Sequence, residues 1–171
     1  QAQSFRALGP FLSRVSVALA KRGAPAQDIT VHLRTTLKGT DQATAVIPRQ
    51  AITGTDPLTP PWVDVAFPGP VPVQPAIPYF LVFTVPASSS SRHYYLPTNT
   101  SNPYADGYFY RDTSGTPAYG TAMLVRLRFG DGVNDPPGKA AITAGPGSCE
   151  PGVSCSYTAL ADDPDGDRIR Y

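Results

Sequence analysis

The stretch FLSRVSVALAK, residues 11–21, decides the fold class because its apolar and polar side chains alternate. Leu12, Val15, Val17 and Leu19 are the apolar members, and one irregular step separates Leu12 from Val15. Neighbouring side chains of a β-strand point to opposite faces of a sheet. A period of two residues therefore predicts a strand with one buried face.

Other segments repeat this pattern and predict a set of short strands joined by turns. The segment ATAVIPRQAI (residues 43–52) is interrupted by Pro48, which favours a sheet edge, because proline lacks the N–H that a central strand donates. The uncharged run YFLVFTV (79–85) is typical of a strand that is buried on both faces. Further strands are predicted in DITVHLRTTL (28–37), WVDVAF (62–67), HYYL (93–96), GYFYR (107–111) and AMLVRLRFG (122–130).

Composition supports an all-β fold and narrows the range of partners. The chain contains 15 glycines and 20 prolines but a single glutamate, Glu150, whereas long helices use glutamate and lysine on their exposed faces. The net charge is +1 and the arginines are scattered along the sequence, so nucleic acid is not an expected partner. No stretch is long and apolar enough to predict a membrane span.

The character of the sequence changes at Gly130, which indicates a domain boundary. Residues 131–139, DGVNDPPGK, combine turn dipeptides with a proline pair and are interpreted as a linker. Short strands are predicted beyond it in AAITAGPG, SCSYTALA and RIRY. The predicted organisation is a β-sandwich over residues 1–130, a linker over 131–139 and a second β segment over 140–171.

The two cysteines, Cys149 and Cys155, lie close together in the sequence. A close pair in a β protein rich in proline, serine and threonine favours a disulfide, which implies an oxidising compartment and a secreted protein. Two free thiols in a reducing cell are the alternative. A zinc site is not expected, because the two histidines, His32 and His93, are far away in sequence.

The order of segments in residues 1–130 resembles a secreted β-sandwich module of the choice-of-anchor type, a jelly-roll class that is also similar to carbohydrate-binding modules. The matching order runs from QSF through the predicted hairpin LSRVSVALAKRGAPAQDITVHL and the central WVDVAFPGPVPVQPAIPYFLVF to a tyrosine-rich loop region and the closing strand LVRLRFG. This resemblance implies a jelly-roll-like β-sandwich. The family's usual late tryptophan is replaced here by Tyr108, Phe109 and Tyr110.

The segment DPPGKAAITAGPGSCEPGVSCSYTALADDPDGDRIRY is similar to the opening of an immunoglobulin-like module of the PKD-related kind. The resemblance implies that residues 140–171 are the first strands of such a domain. Two or three strands do not close a sandwich of about seven strands. We therefore expect either that the chain continues past Tyr171 or that a neighbouring subunit supplies the missing strands by β-strand addition.

The turn DDPDGD places carboxylates at alternate positions around a glycine, an arrangement that calcium favours. A tight turn is the preferred interpretation, because aspartate, proline and glycine are themselves turn-forming residues. No cofactor is expected apart from this calcium alternative. Its candidate ligands are Asp163, Asp165 and Asp167, next to Asp162.

Aromatic residues are the candidate contacts for a ligand or a protein interface, because tyrosine rings stack on sugars and anchor interfaces. Ordinary packing or an interface is favoured over sugar binding. The candidates are Trp62, Tyr94, Tyr95, Tyr104, Tyr108 and Tyr110, with Tyr119 in the same set. In addition, Asn99 begins an NTS tripeptide that fits an N-glycosylation acceptor in a polar loop.

The sequence carries no nucleophile elbow, zinc-protease motif or phosphate-cradling glycine loop, and nothing in it groups serine, histidine and aspartate. The chain is therefore not expected to be an enzyme. The preferred hypothesis is a non-enzymatic extracellular structural or adhesive module of a surface protein, fibre or appendage, in contact with copies of itself or with other surface proteins. The alternative is a carbohydrate-binding module of a larger secreted enzyme, with polysaccharide as its partner.

Overall fold

The computed structural model describes residues 1–100, 107–130, 141–145, 148, 154–156 and 158–160 of the chain. The chain divides into two compact units, Gln1–Gly132 and Val133–Tyr171. The one helical element among the described residues is a short 3-10 turn at Arg49–Ala51. In the same residues no helix has the length and apolar character that crossing a membrane requires.

The first unit is built from short strands that alternate with turns. In chain order they are β1 (Ala2–Arg6), β2 (Phe11–Ala18), β3 (Ala20–Arg22), β4 (Ile29–Arg34), β5 (Asp41–Ile47), β6 (Trp62–Val65), β7 (Val71–Pro72), β8 (Pro78–Thr84), β9 (His93–Tyr95), β10 (Thr98–Asn99), β11 (Phe109–Tyr110), β12 (Pro117–Ala118), β13 (Ala122–Met123) and β14 (Val125–Gly130).

Two larger sheets organise these strands. The six-stranded sheet has the order β12-β11-β1-β8-β4-β5, and the second sheet has the order β14-β2-β6, with β7 also paired to β2. Two short pairs, β3 with β9 and β10 with β13, complete the unit. All pairings in the described part of the chain are antiparallel.

One hydrophobic core lies between the two larger sheets. Ile29, Leu33 and Leu81 from the six-stranded sheet and Val15 and Val17 from the second sheet belong to a single buried cluster. The alternation along each strand produces this arrangement, because every second side chain turns towards the facing sheet. The prediction of an all-β sandwich is therefore confirmed.

The irregular step in the opening stretch corresponds to a β-bulge. The register between β14 and β2 shifts between Arg128 and Phe129, so that Arg128 pairs with Arg14 while Phe129 pairs with Leu12. The extra residue is Ser13, whose Oγ donates to the carbonyl oxygen of Arg128 at 3.1 Å. The bulge lets Leu12 and Val15 both face the core although two residues separate them.

The predicted strand buried on both faces and the predicted edge strand both lie where expected. β8 is an interior strand of the six-stranded sheet, and its Leu81 and Val82 are fully buried although they point to opposite faces. β5 ends at Ile47, directly before Pro48, and is the terminal strand of the same sheet. Proline thus ends a strand at the sheet edge.

The prediction of one continuous closing strand in residues 122–130 is wrong. The chain changes partners at Leu124, because β13 pairs with β10 whereas β14 pairs with β2. The Leu124 carbonyl oxygen accepts from the Ala18 amide at 3.0 Å, and the Leu124 amide donates to the Pro97 carbonyl at 3.1 Å. Two partners on different segments therefore divide the predicted strand.

In the second unit the described strands are β15 (Ala141–Ala144) and β16 (Thr158–Leu160), which form an antiparallel pair. They lie within the predicted segments AAITAGPG and SCSYTALA. Thr143 Oγ1 donates to the Thr158 carbonyl oxygen at 3.3 Å across the pair. The predicted linker 131–139 and the predicted strand RIRY lie outside the described residues, and the immunoglobulin-like assignment stays a prediction.

Candidate functional site

The outer face of the six-stranded sheet carries Tyr108, Tyr110 and Tyr119. In β11 the segment YFY sends Phe109 into the core, so Tyr108 and Tyr110 on either side of it point outwards. Tyr110 pairs with Ala2 of β1, and Ala2 pairs with Val82 of β8. The strand register therefore fixes where both tyrosines lie.

Ring contacts join these aromatic side chains into two pairs. Tyr108 and Tyr119 meet edge to face with ring centroids 5.6 Å apart, and Phe80 and Tyr110 do the same at 5.6 Å. Tyr119 is 75% exposed and Tyr108 is 38% exposed. We call Phe80, Tyr108, Tyr110 and Tyr119 the tyrosine face. Sequence reasoning included Tyr119 but missed Phe80, which it assigned to a fully buried strand.

Small residues of β1 lie between the bulky members of the tyrosine face. Ala2 and Ser4 are buried on this side of the sheet. The Ser4 amide donates to the Tyr108 carbonyl at 2.9 Å, and the Tyr108 amide donates to Ser4 Oγ at 2.8 Å. These two bonds hold the Tyr108 backbone beside β1.

A polar network occupies the other half of the same sheet face. His32 Nδ1 lies 2.9 Å from Asp41 Oδ2, and His32 Nε2 lies 2.9 Å from Thr84 Oγ1. Arg34 Nε donates to Asp41 Oδ1 at 2.5 Å. Hydrogen bonds from Arg34 and then His32 hold the pKa of the Asp41 carboxyl below its usual value. The network ties β4 to both of its neighbours.

This grouping of aspartate, histidine and a hydroxyl was missed by sequence reasoning. Asp41, His32 and Thr84 are far apart in sequence and meet through the register of β5, β4 and β8. The Thr84 hydroxyl that contacts His32 Nε2 also donates to the Thr30 carbonyl oxygen at 3.5 Å. Asp41 is shared with Arg34 and Thr84 is exposed on a sheet face, so we read the network as cross-strand bonding.

The outer face of the second sheet carries the candidate Trp62. Its neighbour in the same strand, Asp64, accepts from Ser16 Oγ at 2.6 Å and from Arg14 Nη2 at 2.9 Å. These bonds, that of Ser16 first, hold the pKa of Asp64 below its usual value. The guanidinium carbon of Arg126 lies 3.9 Å from the centre of a Trp62 ring. Trp62 is 40% exposed, which confirms that this side of β6 is the wetter one.

The remaining aromatic candidates lie elsewhere, so the predicted aromatic set is divided. Tyr94 and Tyr95 belong to β9, which pairs with β3. The Tyr94 hydroxyl donates to the Gln27 carbonyl oxygen at 2.6 Å, and the Tyr95 ring meets His93 with centroids 4.7 Å apart. Both tyrosines are partly buried and hold the β9 segment in place. Tyr104 lies outside the described residues.

The other candidate sites fall largely outside the described residues. Cys155 is disulfide-bonded and partly buried; its predicted partner Cys149 is not among the described residues, so the pairing stays a prediction. No group of three or more His, Cys, Asp or Glu side chains in the described part of the chain is arranged to hold a metal ion. The candidate calcium ligands Asp163, Asp165 and Asp167, with Asp162, lie outside that part.

Asn99 is exposed, as a glycosylation acceptor must be, but it lies in the two-residue strand β10 rather than in a loop. It pairs with Ala122 of β13. Glycosylation at Asn99 stays a prediction.

Comparison with known proteins identifies no related protein or family for this chain. No protein-family model matches the chain, and no significant match is found to it among curated proteins or solved structures. The resemblances to choice-of-anchor, carbohydrate-binding and PKD-related modules therefore stay predictions. The candidate contact surfaces of the chain are therefore its two outer sheet faces.

Proposed function

We propose that the chain is a non-enzymatic extracellular module that makes structural or adhesive contacts, and that the tyrosine face is its contact surface. One observation carries the proposal: the exposed edge-to-face pair of Tyr108 and Tyr119 on the outer face of the six-stranded sheet. Two rings held against each other lose little conformational freedom when a partner covers them. Tyrosine is also one of the residue types that contribute most to protein interfaces.

The charges around the tyrosine face suit contact with a second copy of the chain. The pKa of the Asp112 carboxyl is lowered first by its hydrogen bonds with Ser114, next by the N-terminal ammonium group of Gln1 and last by the charge of Lys38. Both Asp112 and Lys38 are exposed. A surface that meets its own copy across a twofold axis must be complementary to itself, and charges of both signs satisfy that condition.

The extracellular setting is supported by the disulfide-bonded Cys155 and by the proline- and serine-rich composition. The proposed partners are other copies of the chain or other surface proteins. Assembly by β-strand addition through residues 140–171 remains a hypothesis from the sequence, because most of that segment lies outside the described residues.

Polysaccharide binding by the tyrosine face is the second candidate, as expected of a carbohydrate-binding module of a larger secreted enzyme. It is favoured by the 75% exposure of Tyr119, whose ring is held in place by Tyr108 and is open to solvent. Aromatic rings with one open face stack on the apolar faces of sugars.

Sedimentation equilibrium of the whole chain over a range of concentrations tests the proposal. We expect concentration-dependent association that is weakened in a Tyr108→Ser, Tyr119→Ser double variant. The control is Tyr95→Ser, which removes a tyrosine from the β3–β9 pair instead. Equal weakening by the control, or hydrolysis of an ester or glycoside substrate by the chain, would contradict the proposal. A monomeric chain that binds neutral glycans through Tyr108 and Tyr119 would establish the second candidate in its place.

A further inference from the structure

A cleft lies between the turn that follows β3 and the segment that joins β8 to β9. Its inner part has a volume of about 210 Å³, and its outer part has a volume of about 320 Å³. Both parts are lined by Pro25, Ala87 and Ser88, so they adjoin. Sites for small molecules have volumes from about 300 Å³ upward and combine a mostly apolar lining with a few polar groups. A small ligand therefore suits this cleft better than a macromolecule does.

The inner part of the cleft is mainly apolar. It is lined by the three shared residues together with Gln1, Phe83, Val85, His93, Tyr94 and Leu96. Phe83 is 4% exposed, and Val85, Tyr94 and Leu96 pack against the hydrophobic core. A hydrocarbon group placed here would contact these side chains, which is favourable because its apolar surface is removed from water.

The outer part of the cleft carries polar groups, among them Arg92, Ser88 and Ser89. The Ser89 amide donates to the Arg92 carbonyl at 2.9 Å, and the Arg92 amide donates to the Ser89 carbonyl at 3.2 Å and to Ser89 Oγ at 3.1 Å. His93 Nδ1 donates to the same Ser89 carbonyl oxygen at 3.0 Å. These bonds fix the backbone from which the Arg92 side chain extends.

Gly23 lets the two walls of the cleft approach each other beside Arg92. Its φ is 65°, and a Cβ atom there would lie 2.5 Å from the Ser91 carbonyl oxygen and 3.3 Å from Arg92 Cγ. A glycine is required for both reasons, because other residues rarely adopt this φ and a side chain would collide with backbone. The aliphatic part of Arg92 therefore lies against the turn that forms the opposite wall.

The positive charge of Arg92 is available to a ligand. None of the ion pairs in the described part of the chain includes Arg92. Asp28, which follows the cleft residue Gln27, accepts from the Arg49 amide at 2.9 Å. A guanidinium binds a carboxylate through two parallel hydrogen bonds, so it recognises both the charge and the shape of the group. The cleft therefore combines an anion-binding group with an adjoining apolar cavity.

We propose that this cleft binds a small amphiphilic carboxylate. The hydrocarbon body of the ligand occupies the inner part, and its carboxylate accepts hydrogen bonds from the Arg92 guanidinium and the Ser88 hydroxyl in the outer part. A neutral hydrocarbon would leave Arg92 without a partner, and a short carboxylate would leave the inner part empty. The cleft shares no residue with the tyrosine face, so the inference is independent of the proposed function.

An NMR titration of the whole chain with sodium hexanoate tests this inference. We expect saturable amide shifts in residues 23–27 and 87–93, with a Kd on the order of 1 mM for so small a ligand. Acetate has the charge without the hydrocarbon body, and 1-hexanol has the body without the charge. Each should bind about tenfold more weakly than hexanoate, because each uses one part of the cleft.

Two pairs of variants locate the site. Arg92→Gln should lower the affinity for hexanoate about tenfold, as expected for the loss of a charge-assisted hydrogen bond, whereas Arg111→Gln removes the same charge from an exposed position elsewhere and should leave it unchanged. Ala87→Trp fills the junction of the two parts and should abolish binding. Ala66→Trp places the same side chain at an exposed position beside β6 and should not.

Tyr119→Ser alters the tyrosine face and should leave hexanoate binding unchanged, which separates this inference from the proposed function. The inference is overturned if hexanoate causes no saturable shifts, if the shifts centre on the tyrosine face, or if 1-hexanol or acetate binds as tightly as hexanoate. It is also overturned if Arg111→Gln weakens binding as much as Arg92→Gln does, or Ala66→Trp as much as Ala87→Trp.

Discussion

Gln3 Oε1 accepts a hydrogen bond from the Met123 amide at 2.7 Å, and the Gln3 side chain is completely buried. This bond joins β1, a central strand of the six-stranded sheet, to β13 on a different segment of the fold. Gln3 Nε2 donates to the Ser4 carbonyl oxygen at 3.0 Å, so both ends of the amide have partners. A buried glutamine is tolerated here because its polar atoms are satisfied.

Replacing Gln3 with alanine is therefore expected to destabilise the fold. The Met123 amide would lose its acceptor in a buried environment, which costs about 1–3 kcal/mol in free energy of unfolding. Urea denaturation followed by tryptophan fluorescence measures the change. Gln42→Ala, which alters an exposed glutamine of β5, is the matched control and should stay within about 0.5 kcal/mol of wild type. Equal effects of the two substitutions would mean that the Gln3 bond contributes little.

A leucine pair tests the position of the core. Leu81 is fully buried in β8, whereas Leu58 is 89% exposed in a loop. Leu81→Ala should lower the free energy of unfolding by about 2–5 kcal/mol, because it removes buried apolar surface and leaves a cavity. Leu58→Ala should change it by less than about 0.5 kcal/mol. Thermal denaturation of both variants measures the two changes in stability. A Leu81→Ala variant as stable as wild type would place β8 outside the core.

Alternation along single strands was enough to predict the architecture of the first unit. The buried faces of β2, β4 and β6 follow directly from every second side chain being apolar. The bulge at Ser13 was also visible in the sequence, as the irregular step in the alternation between Leu12 and Val15. The break between β13 and β14 at Leu124 was not visible in the sequence, because it depends on which segments pair with each of these two strands.

The sites were predicted less completely, because they depend on register between distant segments. Tyr108 and Tyr119 were candidates as individual residues, but their contact follows from the pairing of β11 with β12. The network of Asp41, His32 and Thr84 needs three strands in one register. Alternation predicts that a side chain faces solvent, but it does not predict which neighbour it meets.

A glycine pair tests how closely the tyrosine face approaches β1. A Cβ atom at Gly107 would lie inside contact distance of the Ser4 carbonyl oxygen, which is backbone and has no room to move aside. Gly107→Ala should therefore destabilise the fold and disturb the edge of the tyrosine face. Gly69 has no atom within 4 Å of the corresponding position, so Gly69→Ala should be neutral or slightly stabilising. Melting temperatures of the two variants provide the comparison, and a Gly107 variant as stable as the Gly69 variant would refute the close approach.

The Asp41 network predicts a defined dependence of stability on pH. The pKa of Asp41 is lowered in the folded chain, mainly by the hydrogen bond from Arg34 and next by that from His32. Its contribution is therefore present above the unfolded pKa and is lost as the pH falls through the folded pKa. Asp41→Asn should be less stable than wild type at neutral pH, by less than about 1 kcal/mol because the group is open to solvent.

The difference between Asp41→Asn and wild type should vanish in strong acid, where Asp41 is protonated. Denaturant titrations of both proteins at several pH values measure it. Arg22→Gln, which removes one exposed charge from β3, controls for a change of one charge. A difference that stays constant from neutral pH to strong acid would show that Asp41 does not act through its charge.

The most direct test of the contact surface is an NMR titration of the chain against itself. Amide chemical shifts of the whole chain are recorded over increasing protein concentration and mapped onto the fold. The account predicts concentration-dependent shifts in β11, in β1 and around Phe80 and Tyr119, with little change in β2 and β6. Shifts confined to the second sheet or to the β15–β16 pair, with the tyrosine face unchanged, would contradict it.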